Sequence, residues 1–122
     1  MKKRLRMKWP VSMNAMYRNF RGRSILSKRA RDYYNWAEEK YPAHVINPKI
    51  RWPTQSLRVT ILLHPPKNYR YDTDNYFKQI LDCLKKGRWY SDDSQIHELK
   101  GVKRNKDPKK EGYVNVLMET IP

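Results

Sequence analysis

Asp72 and Asp74 lie two residues apart, followed at once by Asn75, and a second pair, Asp92 and Asp93, comes about twenty residues later. Hard oxygen ligands of this kind suit Mg²⁺, which prefers a near-octahedral shell and keeps several of its waters. A divalent ion held there would lower the pKa of a bound water and neutralise charge growing on a phosphorus centre, the two needs of phosphodiester hydrolysis. If residues 72–74 are extended, both side chains point the same way, because strand periodicity is two. The plainer account is that Asp74 caps a helix and Asp92-Asp93 makes a turn, and spacing alone leaves both accounts open. Lys78 follows Asp74 by four residues and so falls on the same helical face. It could pair with Asp74 across an exposed surface, or face a phosphate and stabilise developing negative charge.

Bringing the two carboxylate pairs together is the task of the elements around them. Lys3–Trp9 alternates and predicts a first strand, stopped by Pro10. Residues 10–26 read as a long connection around Gly22, and Ser27 as the cap of a helix running to Lys40. Ala30, Tyr33, Tyr34, Ala37 and Tyr41 recur at helical spacing and would face a core. Pro42 ends that helix, and 42–56, with Pro42, Pro48 and Pro53, reads as irregular. Leu57, Val59, Ile61 and Leu63 alternate as a half-buried strand closed by His64-Pro65-Pro66. A polar loop leads into DNYFKQILDCLKK, a helix with Asp74 at its N-cap, an apolar stripe of Phe77, Ile80, Leu81 and Leu84, and Gly87 as C′ residue. Two further strands, 95–104 and 112–120, flank a basic loop and are expected to form a hairpin. The order β-α-β-α-β-β predicts an α+β fold, one small domain over 1–122 with helices packed against a mixed sheet. The helix between the carboxylate pairs would fold the chain back so that they meet.

Charge says what such a site would act on. The 122 residues carry 27 Lys or Arg against 12 Asp or Glu, a formal net charge of +15. Hydrophobic residues make up 39%, with 4 Trp and 9 Tyr, which excludes a wholly disordered basic tail. A compact chain this basic repels itself, and a polyanion relieves that stress, nucleic acid before an anionic membrane surface. No run approaches the roughly 20 apolar residues of a membrane span, and the N-terminus lacks the apolar core of a signal peptide. The lone Cys83 rules out an internal disulfide and a multi-thiolate zinc site, and a cytoplasmic protein is expected. Beside apolar helix residues, Cys83 reads as a buried structural thiol. His44, His64 and His97 lack zinc-motif spacing and are assigned ordinary roles.

The basic residues are concentrated. Residues 1–31 hold eleven Lys or Arg and no acid, and 100–110 hold six against Asp107. Tyr17, Arg18, Phe20, Arg21 and Arg23 form a basic-aromatic patch that would grip DNA backbone or pack near unpaired bases; the alternative is that Tyr17 and Phe20 anchor the connection to the core. Arg70, Lys103, Arg104 and Lys106 are further candidates for phosphate contact, as are Lys100, Lys109 and Lys110.

The segment YRYDTDNYFKQILDCLKKGRWYSDDSQI resembles the signature of the RusA-type Holliday junction resolvases: a basic loop, D-x-D-N, a Lys four residues after the second Asp, an amphipathic helix, a short aromatic link and D-D. WPVSMNAMYRNFRGRSILS is similar to that family's N-terminal region, with Val11 where a second Pro is common. The likeness is clearest over 8–35 and 57–104. It implies that Asp72, Asp74 and Asp93 are metal-binding catalytic carboxylates and Lys78 the catalytic lysine, with Asn75 and Asp92 as supporting members. It further implies a homodimer, often phage-borne, that needs Mg²⁺ or Mn²⁺ and nicks symmetry-related strands of a four-way junction, leaving 5′-phosphates. A nuclease for other branched DNA or RNA, and a non-catalytic basic DNA-binding module, are the alternatives.

Overall fold

In chain order the computed structural model, which describes residues 2–42 and 52–122, has the following elements: β1 (Lys2–Lys8), α1 (Met13–Met16), β2 (Tyr17–Phe20), β3 (Arg23–Leu26), α2 (Lys28–Lys40), β4 (Leu57–His64), α3 (Phe77–Lys86), β5 (Ile96–Lys103) and β6 (Tyr113–Thr120). Short 3₁₀ turns occupy Thr73–Tyr76 and Asp93–Gln95. His44, and most of the stretch 42–56 read as irregular, lie outside the described residues.

Strict alternation makes β4 the centre of the fold. Leu57, Val59, Ile61 and Leu63 are fully buried on one face. They share that face with Val114, Val116 and Met118 of β6 and with Leu5 and Met7 of β1. Each such side chain contributes about 1.5–3 kcal/mol relative to exposure. The strand order is β1-β6-β4-β5, with β6 antiparallel to both β1 and β4, and β4 parallel to β5. The sheet is therefore mixed and the fold α+β, as expected.

The last two strands do not form the expected hairpin. β4 lies between them, pairing Ile61 with Gly101 on one side and with Val116 on the other. A parallel β4–β5 pair needs a long crossover, and α3 supplies it.

The chain from 10 to 26 also departs from the reading as a connection. It forms α1 and then a two-stranded β2–β3 hairpin apart from the main sheet. Its turn residues Arg21 (φ 51°) and Gly22 (φ 75°) both take positive φ, the two-residue geometry that matches strand twist.

Two helices cover the apolar face. Ser27 caps α2 by accepting from the Ala30 N–H at 3.2 Å, and Ala30, Tyr33, Tyr34 and Ala37 are buried. Tyr41 is only half-buried. The Tyr33 hydroxyl donates to the Lys8 carbonyl at 2.7 Å and that of Tyr41 to the Arg6 carbonyl, so α2 occupies polar groups on the open edge of β1.

On α3 the buried face is Gln79, Ile80, Cys83 and Leu84, rotated from the expected stripe; Phe77 and Leu81 are partly buried. Gln79 explains the rotation. Its Oε1 accepts from the Val11 N–H at 2.8 Å and its Nε2 donates to the Ala30 carbonyl at 3.0 Å, so the amide is fully satisfied inside. Burial pushes the Cys83 thiol up to about 12, as befits a structural cysteine. Gly87 is not the left-handed C′ residue. Its φ is −75°, and Arg88 (φ 62°) takes that role, with the Trp89 N–H donating to the Leu84 carbonyl at 3.1 Å. Gly87 instead permits a close approach, because a Cβ there would sit 3.0 Å from the Tyr41 carbonyl oxygen.

Candidate active site

Aromatic packing positions the first carboxylate pair. Tyr69, Tyr71 and Tyr76 gather around Trp9 from the end of β1, with Trp9–Tyr76 and Tyr69–Tyr71 centroids 4.7 and 5.1 Å apart. The Tyr69 and Tyr76 hydroxyls share a hydrogen bond at 2.7 Å. Burial raises the pKa of Tyr69 and Tyr71, so both stay neutral. Exposure alternates over 69–74: Tyr69, Tyr71 and Thr73 turn inward, and Arg70, Asp72 and Asp74 turn outward. The backbone is extended only through Asp72, after which Thr73–Tyr76 tightens into its 3₁₀ turn. Asp72, not Asp74, holds the N-cap position of that turn, without a side-chain capping bond, and α3 starts only at Phe77. The expectation that Asp74 caps the helix is thus overturned.

Below this turn, β5 comes unusually close. A Cβ on Gly101 would lie 2.4 Å from the Phe77 ring and 3.1 Å from the Thr73 Cβ, so glycine is what lets the turn sit on the strand. Lys103, the last residue of β5, donates its ammonium to the Tyr71 carbonyl and lies 4.5 Å from the Tyr71 ring centroid. That places a cation beside Asp72.

Neither Asp72 nor Asp74 has a side-chain hydrogen bond or ion pair among the described residues. The second pair is differently placed. Asp92 caps the 3₁₀ turn after it, accepting from the Ser94 hydroxyl and from the Ser94 N–H at 3.1 Å, and these bonds hold its carboxyl below the usual range. Asp93 accepts from the Tyr90 hydroxyl at 3.1 Å and stands 3.7 Å from Lys85. The same Tyr90 hydroxyl donates to the Leu81 carbonyl at 2.8 Å, so Asp93 is tied to the C-terminal half of α3.

Asp74 lies beyond the opposite end of α3, at a separation of roughly 10 Å or more for 1.5 Å per residue. The helix does not fold the pairs together within one chain. Among the described residues, no three His, Cys, Asp or Glu side chains come together in a group that could hold a metal ion.

Lys78 does not pair with Asp74. Its ammonium lies 3.3 Å from Asp82 one turn further on, and the same Asp82 oxygen accepts from the Tyr34 hydroxyl at 2.8 Å. Burial first, and Asp82 second, raise the Tyr34 pKa, so the phenol donates throughout the physiological range. Tyr34 and Asp82 thus hold a half-buried Lys78 on the flank of α3 near the carboxylate turn.

The basic-aromatic patch falls on the hairpin. Tyr17 and Phe20 are 45% and 51% exposed, so they do not anchor it to the core. Arg18, Arg21 and Arg23 are also exposed. Arg104 and Lys106 lie exposed past the end of β5, in a loop shaped by Asp107. The buried Asp107 carboxylate accepts from the N–H groups of Lys109 and Gly112, each at 3.0 Å. His64 bonds the Asn105 carbonyl at 2.9 Å through Nδ1 and stacks on Tyr113, and His97 contacts the Ser56 hydroxyl at 3.4 Å, both structural roles.

The family model for endodeoxyribonuclease RusA matches residues 8–116, a span that contains the hairpin, the aromatic cluster, both carboxylate pairs and most of the sheet. The chain belongs to the RusA family. It is 30% identical over 95 residues to the crossover junction endodeoxyribonucleases RusA of Enterobacteria phage 82, of Shigella sonnei and of Escherichia coli K12, covering 78% of this chain and 77% of each relative. The chain is thus a RusA-family nuclease with an α+β fold. No helix among the described residues is long and apolar enough to cross a membrane.

Several parts of this RusA-family site were not anticipated from sequence. The Tyr69/Tyr71/Tyr76/Trp9 cluster had a signal in the tyrosines flanking D-x-D-N. Gly101 and the Tyr34–Asp82 bond had none, because their partners are 24 to 48 residues away.

Proposed function

We propose that the protein is a homodimeric, Mg²⁺-dependent endodeoxyribonuclease that resolves four-way DNA junctions by paired nicking. The observation that carries the reading is the exposed Asp72 and Asp74, unpartnered among the described residues, on a turn braced by aromatic rings in a RusA-family chain of net charge +15. Two free carboxylates amid this excess of cations suit a divalent ion, and Asn75 beside them adds a neutral oxygen. A bound Mg²⁺ would supply an acidified water and neutralise charge on the phosphate. Lys78, steadied by Asp82, stabilises the negative charge that develops at the scissile group. Arg70, Lys103, Arg104 and Lys106 bind the flanking phosphates, and Arg18, Arg21 and Arg23 with Tyr17 and Phe20 bind DNA from the hairpin.

The third carboxylate comes from the second subunit. Strand β5 carries one half-site at each end: Asp93 precedes its start, and Gly101 and Lys103 near its finish touch Thr73 and Tyr71. β5 is an edge strand, with Leu99 42% exposed. A two-fold axis across it brings unlike ends together, so Asp93 of the partner subunit meets Asp72 and Asp74. Asp92 caps its turn and so supports Asp93.

The test uses synthetic four-way junction, linear duplex, flap and RNA hairpin, each with Mg²⁺ and with EDTA. Paired nicks confined to the junction, abolished by Asp72→Asn, are expected; cleavage of every substrate alike, or of none, overturns the reading. Mixing Asp72→Asn with Asp93→Asn subunits separates a shared site from one contained in a single chain. A shared site regains one intact centre per mixed dimer and nicks one strand, whereas self-contained sites stay dead in every combination.

A further inference from the structure

Three of the four large hydrophobic side chains exposed in the described residues, Met13, Tyr17 and Phe20, fall within eight residues of the N-terminal arm. Phe20 is the most exposed, at 51%, and stands immediately before the hairpin turn. The hairpin register sorts the side chains. Arg18 pairs with Ile25 and Phe20 with Arg23, so these four share one face, whereas Tyr17, Asn19, Ser24 and Leu26 share the other. Arg21, at the turn, lies 5.3 Å from the centroid of the Phe20 ring through its guanidinium carbon, and Arg18 lies 6.0 Å from it. That face and the adjoining turn therefore set one aromatic ring and Ile25 among three arginines, with no acid before Asp32 in the chain.

That arrangement is costly unless something uses it. An exposed phenyl ring in a short ribbon adds nothing to a core, and three like charges around it repel one another. A second copy of this chain would bring the same cations and is disfavoured by charge. A nucleic acid satisfies both features, because phosphates take the guanidinium groups and every base offers a face to stack on an aromatic ring. Arg18 and Arg21 flank the ring in the free protein and leave it half exposed, open to a base.

We propose that the β2–β3 hairpin is a finger that stacks Phe20 on an unpaired base, with Arg18, Arg21 and Arg23 holding the phosphates on either side. Four residues at about 3.4 Å each give the finger a reach of roughly 14 Å from its base at Tyr17 and Leu26. Paired bases are already stacked on both faces, so the finger selects DNA with bases exposed, such as a distorted branch point. The inference deepens the nuclease reading by assigning the hairpin a part in substrate choice, and it rests on that reading only in taking DNA as the ligand.

The test measures binding of the full chain, in EDTA so that nothing is cut, to three DNAs of equal length. These are a linear duplex, a duplex with a two-nucleotide bulge, and the same bulge with abasic residues. Wild type is expected to prefer the bulge with bases over the abasic bulge by about five-fold or more, on the order of one base–aromatic stack. Phe20→Ala removes that preference, bringing the bulge with bases down to the affinity of the abasic bulge, and Phe20→Trp restores it. Arg21→Gln weakens all three DNAs and flattens the salt dependence. Equal loss on all three DNAs with Phe20→Ala, an intact preference in that variant, or no preference in wild type overturns the finger. Unchanged thermal melting of Phe20→Ala confirms that folding is not involved. Wild type that shows the Phe20-dependent preference but nicks no junction with Mg²⁺ sinks the nuclease reading alone, and junction nicking with a neutral Phe20→Ala sinks the finger alone.

Discussion

Gln79 is one residue from Lys78 and is the only fully buried polar side chain on α3 among the described residues, and replacing it tests how the site is held. Gln79→Leu roughly preserves volume but removes both hydrogen bonds. The Val11 N–H, buried with its residue, loses its acceptor, which costs about 1–3 kcal/mol. The Ala30 carbonyl loses a second donor, and a net hydrogen bond is worth about 0.5–1.5 kcal/mol. The added apolar surface returns about 1–2 kcal/mol at roughly 25 cal/mol per Å². The balance is a loss of about 2 kcal/mol, which for a chain of this size lowers Tm by roughly 6–10 °C. Thermal melting followed by circular dichroism, with urea midpoints at unchanged slope, measures it. Gln79→Glu keeps an acceptor for Val11 but turns a second oxygen on the Ala30 carbonyl and buries an acid. It is expected to lose more stability than Leu at neutral pH and to recover part of it as pH falls and the carboxyl protonates. A Tm within 2 °C of wild type for Gln79→Leu, or a Glu variant more stable than the Leu variant at pH 7, refutes the view that this amide joins the segment after β1, α2 and α3.

Two other perturbations follow from the same geometry. Gly101→Val drives a branched side chain into the Phe77 ring and the Thr73 Cβ, an overpacking of about 1–3 kcal/mol; single-turnover nicking should fall at least ten-fold while duplex binding changes little, and full nicking would show that the carboxylate turn does not depend on its seat on β5. Asp107 is held below the usual carboxylate range by the Lys109 N–H and then that of Gly112, so its stabilising effect is complete above the unfolded value and lost as pH falls through about 4 and below. The Tm gap between wild type and Asp107→Asn should accordingly narrow from pH 7 to pH 3, and a gap independent of pH would refute the assignment.

Local features of the chain were legible because they need only neighbours. Alternation in Leu57–His64, the Ser27 cap and the inward stripe of α2 are set by residues within a turn or two, and the structure contains each. The hairpin at 17–26 escaped detection because its turn is Arg-Gly, where the usual signal is Asn-Gly or Asp-Gly, and its strands are charged. Asp74 looked like a cap because it precedes an apolar stripe, but the packing of Tyr76 and Phe77 delays the helix by a turn. Lys78 has acids four residues away in both directions. Sequence cannot choose between Asp74 and Asp82, and Tyr34 from α2, hydrogen-bonded to Asp82, stands beside the partner it takes.

The amino-acid sequence by itself determined the material of the protein: an excess of cation, a minority of grouped carboxylates, the D-x-D-N signature with its lysine and D-D, and a chain of alternating strands and amphipathic helices. These are properties of composition and short-range order, which survive in any arrangement of the elements. Tertiary structure decided what each charge can do. It placed β4 between β5 and β6, left Asp72 and Asp74 unpartnered among the described residues, tied Asp93 to Tyr90 and Lys85 at the other end of α3, and exposed Phe20 on a ribbon of arginines. The physical reason is that pairing, burial and separation depend on residues far apart in the chain, and only packing brings those together or keeps them apart.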